Sequence, residues 1–159
     1  MTRSTCDLCD DHPDLVQVAQ PLLRHFGLKA AFHGPIATVR CFEDNALLKS
    51  ALQQPGEGRV MVVDGGGSLR TALFGDVLAS FVLRNGWAGA VINGAVRDVE
   101  RIATMDVAVW ALAPMPRRPS KAGAGVRDVA VSFAGLTFTP GHWLYADANG
   151  IIVAPQALA

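Results

Sequence analysis

A chain of 159 residues, half of them apolar and 18% charged, has the make-up of a folded globular protein, and it is long enough for one domain that buries ~70% of its unfolded surface. Fourteen basic and fourteen acidic side chains cancel, which removes the basic face that a nucleic-acid partner needs, and no apolar run reaches the ~18 residues of a membrane span. The opening segment, Met1 to Cys6, lacks the apolar core of a signal peptide, and the odd number of cysteines (Cys6, Cys9 and Cys41) fits a reducing compartment, so a cytoplasmic location is expected.

Taken in chain order, Cys6 and Cys9 form a C-x-x-C with His12 nearby. A zinc site wants a second matching pair, and a redox motif normally follows a strand, so the segment reads as an N-terminal arm with two ordinary thiols. Asp14 to Phe26 places Leu15, Val18, Leu22, Leu23 and Phe26 at helical spacing, with Pro21 kinking or splitting the pattern and Gly27 as a stop. Ala37 to Phe42 alternates like a strand, Glu43 to Gln54 is an amphipathic helix, and Val60 to Val63 has the continuous apolar texture of a strand buried on both faces. Asp76 to Arg84 is a third helix, with Val77, Leu78, Phe81 and Val82 on one face and Asn85-Gly86 at its end. Ala88 to Ile92 is a buried strand stopped by Asn93-Gly94; Asp98 to Thr104 is a short helix and Val107 to Leu112 a strand. Pro114 to Gly125 is a loop whose basic cluster, Arg117 to Lys121, reads as solvated. Short strands follow at 129–133, 136–138, 143–145 and 151–153, the last two joined across an Asn149-Gly150 turn. Alternating helix and buried strand followed by a β-meander predicts one mixed α/β domain with layers of different kinds.

Three motifs carry possible chemistry. Asp64-Gly65-Gly66-Gly67-Ser68 after a strand partly matches a nucleotide-binding methyltransferase turn. However, Ser68 replaces the second glycine, and the next strand ends in Asn93-Gly94 rather than an acid. The turn is read instead as one wall of a site. Gly75-Asp76-Val77-Leu78 opens a helix whose free N–H groups and dipole can receive a small carboxylate; on local physics alone Asp76 is an N-cap. Arg97-Asp98 follows a buried strand, offering a planar cation for a carboxylate or enolate and an oxygen ligand for a hard divalent ion; alone it reads as a surface ion pair.

The spacing Asp76-x20-Arg97-Asp98 is accompanied by "DLCD" (Asp7 to Asp10), "VDGGGSLRTALFGD" (Val63 to Asp76), "VSFAGLTFTPGHWLYAD" (Val131 to Asp147) and "NGIIV" (Asn149 to Val153). Together these segments make nearly the whole chain resemble the class II 4-hydroxy-4-methyl-2-oxoglutarate aldolases, relatives of the regulator of ribonuclease activity A. The resemblance implies a swivelling β/β/α-type layered single domain over residues 1–159, assembled as a ring-shaped trimer or a hexamer of paired trimers with sites between subunits. It also implies cleavage of a small 2-oxo acid, 4-hydroxy-4-methyl-2-oxoglutarate, into two pyruvates, with oxaloacetate decarboxylation through the same pyruvate enolate.

By the same resemblance Asp98 holds Mg²⁺ or Mn²⁺, largely through water. Gly75, Asp76, Val77 and Leu78 bind the pyruvyl carboxylate, Arg97 binds and stabilises the enolate oxygen, and Asp76 orients a proton-accepting water. Lys49 on a helix and Lys121 in the basic loop lie away from buried strand ends, which favours the metal route over a Schiff base. The family pattern continues Arg-Asp-x-x-acid, whereas this chain has Arg101 there and its acid one position earlier, at Glu100. Two other functions stand against the aldolase. One is a non-catalytic regulator that binds a ribonuclease, whose members lack the full set of acids matching Asp76 and Asp98; the other is a methyltransferase resting on the glycine turn alone.

Overall fold

Successive residues of the central strands point into two different cores, and this period-two alternation sets the layers. The computed structural model describes residues 3–159; Met1 and Thr2, the start of the segment read above as lacking a leader's apolar core, lie outside the described residues. The elements are α1 (Thr5–Asp11), β1 (Gln17–Val18), β2 (Arg24–Phe26), β3 (Phe32–Arg40), α2 (Ala46–Leu52), β4 (Val60–Asp64), β5 (Ala72–Phe74) and α3 (Asp76–Arg84), followed by β6 (Gly89–Val96), α4 (Val99–Ile102), β7 (Val109–Pro114), β8 (Val126–Arg127), β9 (Val131–Phe133), β10 (Leu136–Phe138), β11 (Trp143–Asp147) and β12 (Gly150–Ala154). Met61 and Val63 of β4, with Ala90 and Ile92 of β6, face the helices α2, α3 and α4. Val60, Val62 and Val91 face the opposite way, onto the β9–β10 hairpin and the β11–β12 pair. The result is a helical layer, a large sheet and a β layer, a mixed α/β fold.

The sheet runs in the order β1-β12-β11-β3-β4-β6-β7-β2, with β5 added to β6 and β8 to β3. The nine-residue β3 joins its two halves: its first part pairs antiparallel with β11 and its second part parallel with β4. Parallel pairing continues through β4, β6 and β7, and β5 also lies parallel to β6. Their C-terminal ends therefore gather on one edge, the place where ligand-handling loops collect in open α/β sheets.

Several expectations need correction. The segment 14–26 is not a helix but two short strands, β1 on β12 and β2 on β7, separated by a turn at Pro21. Leu15, Val18 and Leu22 of the supposed apolar face are exposed, and strand pairing satisfies backbone groups that Pro21 would have orphaned in a helix. Asn93-Gly94 does not stop its strand. β6 runs on to Val96, and its register with β7 shifts between Ile92 and Ala95, so the dipeptide marks a bulge. The N-terminal arm holding Cys6 and Cys9 is the helix α1, capped by a reciprocal Ser4–Asp7 box. Cys6 is exposed, Cys9 half-buried and Cys41 buried, the last with its thiol pushed up to about 12 by that burial.

α1 is held to the sheet by Asp147, a buried carboxylate at the end of β11. It accepts from Thr5 N–H at 2.7 Å, Thr5 Oγ1 at 2.8 Å and Asn149 N–H at 2.9 Å. Burial alone would raise its pKa, but these hydrogen bonds outweigh it and hold the carboxyl below its ordinary value. A depressed folded pKa contributes stability above the unfolded value, and that contribution is lost as pH falls through the folded pKa. Asp147→Asn is therefore expected to cost about 1–3 kcal/mol in urea unfolding at pH 7, because a charged acceptor is lost and one donor is left unpaired. The gap to the wild type should narrow below about pH 4; a gap that does not change with pH would contradict this account.

Candidate active site

β5 ends at Phe74 and β6 at Val96, and their parallel pairing sets Phe74 directly beside Val96. Gly75 and Arg97, the residues that leave the two strands, are thereby neighbours, and Arg97 N–H donates to Phe74 O at 2.9 Å. The twenty residues between Asp76 and Arg97 are the length of one crossover: the rest of α3, a short turn and all of β6. The spacing that looked like a sequence motif is the size of a β-α-β unit.

At this junction Gly75 is the N-cap of α3, with extended backbone and no side-chain cap, and Asp76 is the first helical residue. Asp76 is therefore not the N-cap that local physics suggested. No helical turn precedes Val77 and Leu78, so their N–H groups lack the carbonyl partners of later helix residues; Val77 N–H leans on the Asp76 carboxylate, and Asp76 N–H points toward Asp98 Oδ2 at 3.4 Å. A Cβ on Gly75 would lie 2.7 Å from Asp98 Oδ2 and 3.3 Å from Arg97 Cγ, so glycine lets the Asp98 carboxylate stand at this corner and any side chain would push it aside. Asp98 has left-handed backbone (φ 57°), a conformation that aspartate tolerates better than most residues; it starts α4 and turns its carboxylate back toward α3. Arg97 Nε stands 3.7 Å from Asp98 Oδ2, and both side chains are half-buried.

Gly75 to Leu78, Arg97 and Asp98 line one open cleft of about 150 Å³, a size suited to an acid of a few carbons. The same cleft is also lined by residues that the sequence reading passed over: Asn45 ahead of α2, and Arg118, Pro119 and Lys121 of the long loop. Lys121 was read as remote from any strand end, yet the fold returns its loop to this one. Its Nζ donates to Asn45 Oδ1 at 3.2 Å, and Lys121 is exposed, a setting that suits charge binding better than a desolvated amine nucleophile. Lys49 is exposed and outside the cleft, as is Lys29, which the sequence argument left aside. The one sequence signal for the missed wall was the Arg117–Lys121 basic cluster.

The glycine turn does not form a wall. Asp64 Oδ1 accepts from Gly66 N–H and Asn93 Nδ2, both at 2.9 Å, and a Cβ on Gly65 would meet Leu73 Cδ1 at 2.4 Å. The glycines allow the turn to fold down onto β6 and Leu73, away from the cleft. Glu100 is exposed and stays outside as well. Arg101 instead reaches Asp76, with Nη1 to Oδ2 at 2.9 Å. This guanidinium holds the Asp76 carboxyl below its usual range, against the burial that would raise it. Because Arg101 is 71% exposed, the pair adds little to stability; its consequence is to fix the carboxylate's direction.

Over its full length the chain is 56% identical to a protein of Xanthomonas campestris pv. campestris (strain 8004) named "Putative 4-hydroxy-4-methyl-2-oxoglutarate aldolase", covering 95% of that relative. A protein of the same name from Ectopseudomonas mendocina (strain ymp) is 54% identical over 98% of this chain and 96% of its own. Among solved structures, the RNA-processing inhibitor RraA from Thermus thermophilis matches with a TM-score of 0.95 and 41% identity, over 100% of this chain and 96% of that one. A structure described as an S-adenosylmethionine:2-dimethylmenaquinone methyltransferase from Geobacillus kaustophilus matches with a TM-score of 0.94 and 44% identity, over 98% and 97% of the two chains. The family model RraA-like, described as Aldolase/RraA, matches residues 5–153, and the chain belongs to that family.

Proposed function

We propose that this protein is a divalent-metal-dependent aldolase that cleaves 4-hydroxy-4-methyl-2-oxoglutarate into two pyruvates and decarboxylates oxaloacetate through the same enolate. The observation that carries the reading is the convergence of a free helix N-terminus, Arg97 and Asp98 on one small cleft. The names of the Xanthomonas and Ectopseudomonas relatives support it.

Among the described residues no group of three His, Cys, Asp or Glu side chains converges to cage a cation. Asp98, on the cleft wall with Asp76 beside it, suits an ion such as Mg²⁺ or Mn²⁺ that keeps most of its water and takes one or two carboxylates. When bound, such an ion supplies Lewis-acid polarisation of the substrate's 2-oxo group. The N–H groups of Val77 and Leu78 hold the 1-carboxylate, with Gly75 allowing close approach. Asp76, its direction set by Arg101, orients a water that takes the proton from the C4 hydroxyl. The C3–C4 bond then breaks, its electron pair forms the pyruvate enolate, and the C4 fragment leaves as the second pyruvate. Arg97 stabilises the enolate oxygen until C3 is protonated. Completion of the site by a neighbouring subunit of a ring-shaped trimer rests on the family membership; Val77, which lines the cleft, is exposed and open to such a contact.

The regulator reading draws on the Thermus RraA structure, but the two acids facing the cleft favour the enzyme. Against the methyltransferase reading, the glycine turn packs against Leu73, Asn93 and Phe42.

Pyruvate release from both substrates is expected with Mg²⁺ or Mn²⁺ and should stop with EDTA. Asp98→Ala should lower kcat/KM at least about a hundredfold, in the range of lost transition-state electrostatics; full activity in Asp98→Ala would reject the assigned role. Gly75→Ala displaces a flexible carboxylate rather than backbone. It should therefore leave the melting temperature nearly unchanged while weakening pyruvate binding about tenfold or more in calorimetry; unchanged pyruvate affinity would reject the helix N-terminus as the carboxylate site.

A further inference from the structure

Cys6 and Cys9, which the aldolase reading does not use, stand three residues apart on α1, with Cys6 exposed and Cys9 half-buried. Both line one open groove of about 290 Å³, together with Asp10, Val18 of β1 and Ile151 of β12. That volume admits a small oxidant or the reactive end of a thiol. Helical residues three apart have Cα atoms about 5 Å from each other, inside the range that a disulfide spans. Their Cβ atoms, at about 5–6 Å, are wider apart than the ~4 Å of a closed bridge, so closure has to distort the turn.

That turn is where α1 is held. Asp7 closes the capping box with Ser4, and Leu8, buried, packs against Tyr145 and Ile152. Thr5, directly before Cys6, is the residue that the Asp147 carboxylate grips. A bridge between Cys6 and Cys9 therefore works against the docking of α1, and a docked α1 works equally against the bridge. The third thiol is no rival partner, since Cys41 is buried and pushed up to about 12. Burial also raises the Cys9 thiol, with Cys6 and Asp10 adding to it, which leaves the exposed Cys6 to react first.

We propose that Cys6 and Cys9 are a reversible redox couple that a small hydroperoxide closes into an intrachain disulfide, releasing the first turn of α1 from the sheet. The Cys6 thiolate attacks the terminal oxygen of the hydroperoxide; the O–O bond breaks, and the alcohol (water, from hydrogen peroxide) leaves. The Cys9 sulfur then attacks the Cys6 sulfenic acid; the S–O bond breaks, and water leaves with the Cys9 proton. The thiol pair gives up two electrons and the peroxide takes them. A dithiol reopens the bridge by exchange, readily so because the closed turn is strained. Transient disulfides of this kind are the ones that occur in reducing compartments.

The reduced full-length chain is treated with hydrogen peroxide, its remaining thiols are blocked, and its peptides are mapped by mass spectrometry. A Cys6–Cys9 bridge within one chain is expected, two hydrogens lighter than the dithiol and reopened by dithiothreitol. Cys9→Ser should stop Cys6 at the sulfenic acid, which dimedone traps. In a glutathione redox buffer, Asp147→Asn should raise the equilibrium constant for closure about threefold or more, because a loosened α1 opposes the bridge less. Ser4→Ala, which removes the capping box at the surface, should move it the same way. Amide exchange along α1 should be faster in the oxidised chain than in the reduced one. Cys6 and Cys9 both free after peroxide, a bridge found only between chains, or a closure equilibrium that neither variant moves overturns the proposal.

Discussion

The parallel pairing of β5 with β6 is the constraint on which the site depends. Phe74 lies in register with Val96, so two segments separated by a full crossover leave the sheet side by side. Everything placed at that edge follows: the bare N-terminus of α3, the Arg97 side chain, and the left-handed Asp98 that turns back toward it. Gly75 keeps the edge open, because any Cβ there would collide with the Asp98 carboxylate. The two cores on either side of β4 and β6 make this edge rigid, and close-packed strands do not let their ends drift.

The electrostatics of the cleft are mixed and ordered. Asp76, Asp98 and Arg97 line the strand-end wall, where Arg101 of α4 aims Asp76 and Arg97 stands beside Asp98. The long loop adds Arg118 and Lys121 to the same lining. Both buried carboxylates that anchor peripheral segments are satisfied by neutral donors rather than by bases: Asp44, beside the long loop, by backbone N–H groups, and Asp147, under α1, by backbone and side chains of Thr5 and Asn149.

What the sequence revealed followed from local rules. α3 appears at the expected bounds because an apolar stripe, a glycine start and an Asn-Gly end agree, and β4 announced itself by an unbroken apolar run. The segment 14–26 misled because its apolar spacing suits a helix while its backbone pairs with β12 and β7, contacts more than eighty residues away in sequence. Asn93-Gly94 looked like a stop because a bulge and a turn use the same residues. Lys121 and Asn45 were invisible as site residues for a related reason: they meet through an interaction spanning 76 positions, and no local pattern encodes it. The family resemblance identified the strand-end residues; the rest of the cleft lining emerged only from the fold.

The central claim is that the helix N-terminus and Arg97-Asp98 act on one ligand. A crystal structure of the protein soaked with pyruvate and Mn²⁺, with the metal located by anomalous scattering, tests it most directly. The account predicts the pyruvate carboxylate on the N–H groups of Val77 and Leu78, its 2-oxo oxygen toward Arg97, and the metal next to Asp98. Pyruvate and metal bound away from this edge, or at separate places on it, would contradict the account.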